Sequence, residues 1–206
     1  MIRATASLLA VLVTSVTFLA AGVSPASADG HPPTMLGPGD AGVSDIGGRA
    51  VIRYSKYGPV YIAGKQNTHL RVAEVAGQHS LRFRDTRTGG IKGSLPDRCS
   101  RESVEQGISI VCLIPPRFRG NRMFVQVWPR LGNDYVDGRT LSQHFRLWVL
   151  ADAGNDTVYG GAGADFVNGA KGADRAWGGP GRDWLRGGPG ADMLNGGPGK
   201  DRIAQG

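Results

Sequence analysis

Catalytic signatures are missing from this chain of 206 residues. There is no H-E-x-x-H pair to hold a catalytic zinc, and no serine stands in a G-x-S-x-G elbow. His31, His69, His79 and His144 are scattered. Asp134, Asp137 and His144 could gather around a serine, but any strand-rich domain of this size contains such triplets. A binding or structural protein is expected rather than an enzyme. Long apolar runs are missing too, apart from residues 8–21, which are shorter than the ~20 residues a membrane span needs. With Arg3 before this run and Ala26-Ser27-Ala28 after it, residues 1–28 read as a secretory signal peptide. A mature chain from Asp29 without a transmembrane segment, exported to the extracellular space, is the expectation.

Cysteine is scarce: Cys99 and Cys112 are the only two. An even count in an exported chain favours one disulfide over two reduced thiols, and closing so short a loop contributes ~3 kcal/mol. Acidic charge is sparse before residue 151. Residues 29–150 carry 17 Lys/Arg against 10 Asp/Glu, whereas residues 151–206 carry 6 against 7. The basic half reads first as a solvated surface. The competing partner is an anionic cell-wall polymer, a polysaccharide or extracellular DNA, with no signal for specific nucleic-acid recognition.

What the sequence has in abundance is glycine in a fixed phase. Residues 151–204 are six nine-residue units: ADAGNDTVY, GGAGADFVN, GAKGADRAW, GGPGRDWLR, GGPGADMLN and GGPGKDRIA. The fourth residue is always glycine and the sixth always aspartate: Asp156, Asp165, Asp174, Asp183, Asp192 and Asp201. The eighth is apolar, from Val158 to Ile203. Six loop residues and a three-residue strand cannot hold a core alone, so the units must stack. With two units per turn, each aspartate neighbours the one eighteen residues later. Strands ~4.8 Å apart would leave these carboxylates repelling by a few kcal/mol at an effective dielectric near 20 unless a cation lies between them. Carboxylates with loop carbonyls make an all-oxygen set, which suits Ca²⁺. The most regular units are those of Asp183, Asp192 and Asp201. Departures are Ala151-Asp152 for the leading glycine pair, Ala170 for a second glycine, and the small Ala176.

These units resemble the hemolysin-type (RTX) calcium-binding nonapeptides. The resemblance implies a right-handed parallel β-roll with ions in its loops. Sixteen glycines in residues 151–206 make ordering expensive in backbone entropy, so folding on calcium binding is expected. The wider pattern resembles actinobacterial calcium-binding repeat proteins. Some RTX proteins are hydrolases, which makes a cryptic N-terminal active site the alternative. A toxin-like effector fits less well, because no pore-forming apolar region is present.

Ahead of the repeats, residues 29–41 read as a Pro/Gly-rich linker and residues 42–150 as a β-rich domain, making the chain all-β. Strands are expected over residues 50–54, 60–63, 70–75, 81–84, 108–114 and 124–128, with Arg82 and Arg84 on one face of theirs. Residues 127–138 align without gaps on 149–160, an offset of twenty-two that carries Gly132-Asn133-Asp134 onto Gly154-Asn155-Asp156. The last coil of the β-rich domain should therefore be solenoidal, which makes a solenoid continuous with the roll one expectation, with Asp134 near Asp156 as a further metal ligand.

Overall fold

The computed structural model describes residues 46–206. The signal peptide, the linker and residues 42–45 lie outside them. Among the described residues no helix is long and apolar enough to cross a membrane.

Fifteen short strands form two sheets. β1 (Val51–Ser55), β2 (Gly58–Ile62), β7 (Met123–Trp128), β9 (Phe145–Leu150), β11 (Phe166–Asn168), β13 (Trp184–Arg186) and β15 (Arg202–Ala204) make the first, in that spatial order. The second runs β14 (Met193–Asn195), β12 (Arg175–Trp177), β10 (Thr157–Tyr159), β8 (Tyr135–Asp137), β3 (His69–Val75), β4 (Ser80–Asp85), β6 (Ile108–Leu113) and β5 (Cys99–Glu102). All six strands expected before the repeats are present. β5 was not foreseen, because Cys99-Ser100-Arg101-Glu102 has no apolar alternation. Both sheets run unbroken across residues 150 and 151, so the roll extends the β-rich region.

The nonapeptides pair in parallel at an offset of eighteen: Val158 beside Ala176, Val167 beside Leu185 and Ala176 beside Leu194. The offset is twenty-two one turn earlier, where Tyr135 pairs with Thr157 and Met123 with Phe145. Eighth residues point between the sheets. Val158, Val167, Ala176 and Leu185 are buried with Leu70, Phe83, Val125 and Leu147 in one apolar core. Leu194 is only partly buried, and Ile203 is 47 % exposed.

The β-rich region adds antiparallel hairpins to the parallel pairs β2–β7, β7–β9 and β3–β8. β1 pairs with β2, β3 with β4, and β6 with both β4 and β5. Cys99 and Cys112 are directly opposed on β5 and β6 and form the disulfide. Arg82 and Arg84 share the outward face of β4 while Leu81 and Phe83 are buried. Arg82 donates both arms of its guanidinium to Glu102 at 2.8 Å.

Candidate metal centre

In every nonapeptide the aspartate is the last residue before the strand, so alternation about the buried eighth residue turns it inward at the corner of the roll. Asp134, Asp156, Asp165, Asp174 and Asp183 are 0–3 % exposed. Asp192 and Asp201 are half-buried, since fewer rungs cover them. The units with the most regular sequence therefore include its most open end.

Two columns result: Asp165, Asp183 and Asp201 before strands of the first sheet, and Asp134, Asp156, Asp174 and Asp192 before strands of the second. Each carboxylate reaches back one rung. Oδ1 of Asp156, Asp174 and Asp192 accepts the backbone N–H of Asp134, Asp156 and Asp174 at 2.8, 2.8 and 3.0 Å. In the other column Asp183 and Asp201 accept from Asp165 and Asp183 at 2.8 and 3.0 Å. The neighbours expected from the eighteen-residue period are thus in contact, and Asp134 with Asp156 joins them. The column of the first sheet starts at Asp165, whose Oδ1 accepts from Leu147 N at 2.7 Å and Oδ2 from Gly161 N at 2.6 Å.

The second oxygens decide what the columns can hold. Oδ2 of Asp134, Asp156, Asp174, Asp183 and Asp192 is buried and has no hydrogen-bond donor among the described residues. Orphan carboxylate oxygens in a protein interior are costly. Burial accordingly pushes the carboxyls of Asp134 and Asp156 up to about 7, Asp165 up to about 8 and Asp183 up to about 6. Neighbouring carboxylates add to this rise: Asp134 and Asp174 for Asp156, Asp183 for Asp165, and Asp201 for Asp183. Asp174 is raised by the same burial, with the Asp192 charge adding. A divalent cation would satisfy both the orphan oxygens and the repulsion.

Glycine does two separate jobs in this geometry. A Cβ on the first glycine of a unit would strike the unit's own aspartate, as at Gly169 against Oδ2 of Asp174 or Gly187 against Oδ2 of Asp192. A Cβ on the fourth would strike the carbonyl of the fourth glycine one turn back, as at Gly172 against Gly154 or Gly190 against Gly172. The first leaves space beside the carboxylate. The second lets rungs close to sheet spacing, and brings a carbonyl oxygen along each corner. Among the described residues no three acidic, histidine or cysteine side chains cluster around one point. An ion here would draw carboxylates from successive rungs and backbone carbonyls, the oxygen ligands that suit Ca²⁺.

The departures from consensus keep the backbone and take the strain. Asp152 and Ala170 occupy the left-handed region at φ 88° and 72°, as does Arg130 at 78°, where the regular units place Gly179, Gly188 and Gly197. A side chain in that conformation costs ~1–2 kcal/mol.

One rung escaped sequence reasoning. β3 pairs in parallel with β8, His69 beside Tyr135, so Gln66-Asn67-Thr68 stands above Gly132-Asn133-Asp134. Thr68 N donates to Oδ1 of Asp134 at 2.5 Å and Asn133 N to Oδ1 of Asn67 at 3.0 Å, as Asn155 N does to Asn133 at 2.8 Å. Thr68 takes the place of the aspartate and ends that column with a neutral residue. The only trace in the sequence is an asparagine sixty-six residues, three times twenty-two, before Asn133.

The histidines are less scattered than the sequence suggests. His79 and His144 line one cavity of about 320 Å³ with Glu74, Ser80 and Arg119, while His69 packs at a tilt against Tyr135. Asp134 and Asp137 do not line that cavity: Asp134 faces the roll interior, and both oxygens of Asp137 are held by Arg139 at 3.0 Å.

The family model for the RTX calcium-binding nonapeptide repeat, which spans four copies of the unit, matches residues 148–176 and 169–203. No curated protein and no solved structure matches the chain. Paired interior carboxylates, an oxygen-only donor set and this match together make the C-terminal part of the chain an RTX calcium-binding array.

Proposed function

We propose that the chain is a secreted calcium-binding protein whose repeats take up their fold on meeting extracellular calcium. It then serves a structural or adhesive role at the cell surface or matrix, in contact with an anionic cell-wall polymer or polysaccharide. The observation that carries this reading is the row of buried, donor-less Oδ2 atoms on stacked aspartates. Each asks for a cation, and binding only to the folded form stabilises that form by mass action. All of Asp134, Asp156, Asp165, Asp174, Asp183, Asp192 and Asp201 are assigned as ligands. The Cys99–Cys112 disulfide fits an oxidising compartment, in line with the signal peptide read at residues 1–28.

Calorimetry and far-ultraviolet circular dichroism of the full chain titrated with calcium test the proposal. Heat of binding and a gain of β-structure are expected, both weakened by alanine at Asp183 and Asp192. Absence of calcium uptake, or uptake unaffected by those substitutions, removes it. The reading assigns no catalysis to the chain. Reproducible hydrolysis of an ester, peptide or glycan by the purified protein would overturn that part and favour a hydrolase carrying the array.

A further inference from the structure

One row of outward side chains crosses the whole second sheet, from Glu102 on β5 to Asn195 on β14. At its centre Arg84 and Arg71 are directly opposed on β4 and β3. Like charges at directly opposed positions destabilise a sheet. The carboxylates of the row are committed elsewhere: Glu102 accepts from Arg82 and from Ser109 Oγ at 2.6 Å, and Asp137 is held by Arg139. Arg71 reaches Asp137 only at 4.0 Å, and Arg84 acts through its charge on Glu102, which Arg82 already grips. Two arginines thus stand side by side on neighbouring strands, and the carboxylates nearest them are gripped by Arg82 and Arg139. Their planar donor forks match an oxyanion.

Along the same row, Tyr159 and Trp177 stack at 4.6 Å with their planes 7° apart, both half-exposed. Tyr159 covers one face of the indole, and on the other side stands only the short, exposed Asn195. Trp177 lies three strands from Arg71, or ~14 Å at sheet spacing. Fixed anion site, indole face and carboxamide in one line fit a rigid chain of sugar rings bearing carboxylates. A polymer of glycerol phosphate offers the anion but no ring for Trp177. Single-stranded nucleic acid needs a series of open aromatic faces, whereas this row offers one.

We propose that the outer face of the second sheet binds an acidic, uronate-bearing polysaccharide, with Arg71 and Arg84 gripping a carboxylate and Trp177 packing on a sugar ring. This rests on the anionic-polymer reading above and gives it a place on the molecule. The test is titration calorimetry of calcium-saturated full chain with hyaluronate oligosaccharides. Dextran, poly(glycerol phosphate) and single-stranded DNA run in parallel. Hyaluronate should bind and dextran should not. R71Q or R84Q should weaken hyaluronate about tenfold, the loss expected for one charge-assisted hydrogen bond. W177A should weaken it severalfold, and R117Q, away from this face, should have no effect. R84Q should melt no lower than the parent, because it removes a repulsion, so lost binding cannot be laid to unfolding. Equal hyaluronate binding by all variants overturns the assignment of the face and leaves the polymer reading standing. Binding of DNA or poly(glycerol phosphate) in preference overturns the uronate assignment. Failure of every anionic polymer to bind sinks both.

Discussion

Replacing Asp156 with asparagine should stabilise the calcium-free protein and blunt its response to calcium. Asp156 is 1 % exposed, and its carboxyl is pushed up to about 7 by burial, then by the charges of Asp134 and Asp174. In the unfolded chain it titrates near 4. Between those two values the folded state binds the extra proton. The contribution of Asp156 to stability without calcium is therefore full below pH ~4 and is lost as pH rises through 7. By pH 8 the folded state carries an ionised group whose burial costs on the order of 2–4 kcal/mol. Asparagine keeps the oxygen that accepts Asp134 N–H at 2.8 Å and puts a neutral amide where Oδ2 has no donor. Far-ultraviolet circular dichroism in chelator at pH 8 should show the folding equilibrium of D156N shifted towards β-structure by about 2 kcal/mol relative to the parent, after ~1 kcal/mol for the unpaired amide. At pH 4 the advantage should vanish and leave D156N the less stable by up to that ~1 kcal/mol. Saturating calcium should reverse the order, because the parent gains more. If D156N is no more stable in chelator at pH 8, or if calcium stabilises both equally, the account of a charged column waiting for a cation is wrong.

Ala170→Gly relieves a left-handed alanine at φ 72° and should raise stability by about 1 kcal/mol, read from the urea midpoint. Leu185→Ala opens the core at a fully buried eighth residue and should cost ~2–5 kcal/mol, whereas Ile203→Ala, at 47 % exposure, should cost well under 1 kcal/mol. Denaturant curves of the two variants in calcium check the contrast. Reducing Cys99–Cys112 should lower stability by ~3 kcal/mol without abolishing calcium binding, since β5 and β6 lie at the far edge of the second sheet from β14.

The nonapeptide array was legible because each rung repeats one environment. A glycine beside every carboxylate, a glycine at every close approach and an apolar residue at every inward strand position leave a fixed phase in the chain. That phase gave the stacking partners of Asp156, Asp165, Asp174 and Asp183, the short strands, and calcium as the ion. Six strands of the β-rich region were legible for a similar reason, since β-branched and aromatic runs between glycine turns make sheet whatever their partners. Partner choice is where local reading stopped. Beyond Asn67, nothing near Thr68 announces that β3 lies beside β8, because that contact joins residues sixty-six apart and Thr68 breaks the aspartate column. Nor does the Arg71–Arg84 pair show in either strand alone. The sequence by itself determined the metal chemistry, which needs only the same residue at the same place in every turn. Tertiary structure decided how far each column runs, which carboxylate oxygens lack donors and which side chains share an outer row. Those depend on contacts between strands distant along the chain, and no local pattern encodes them.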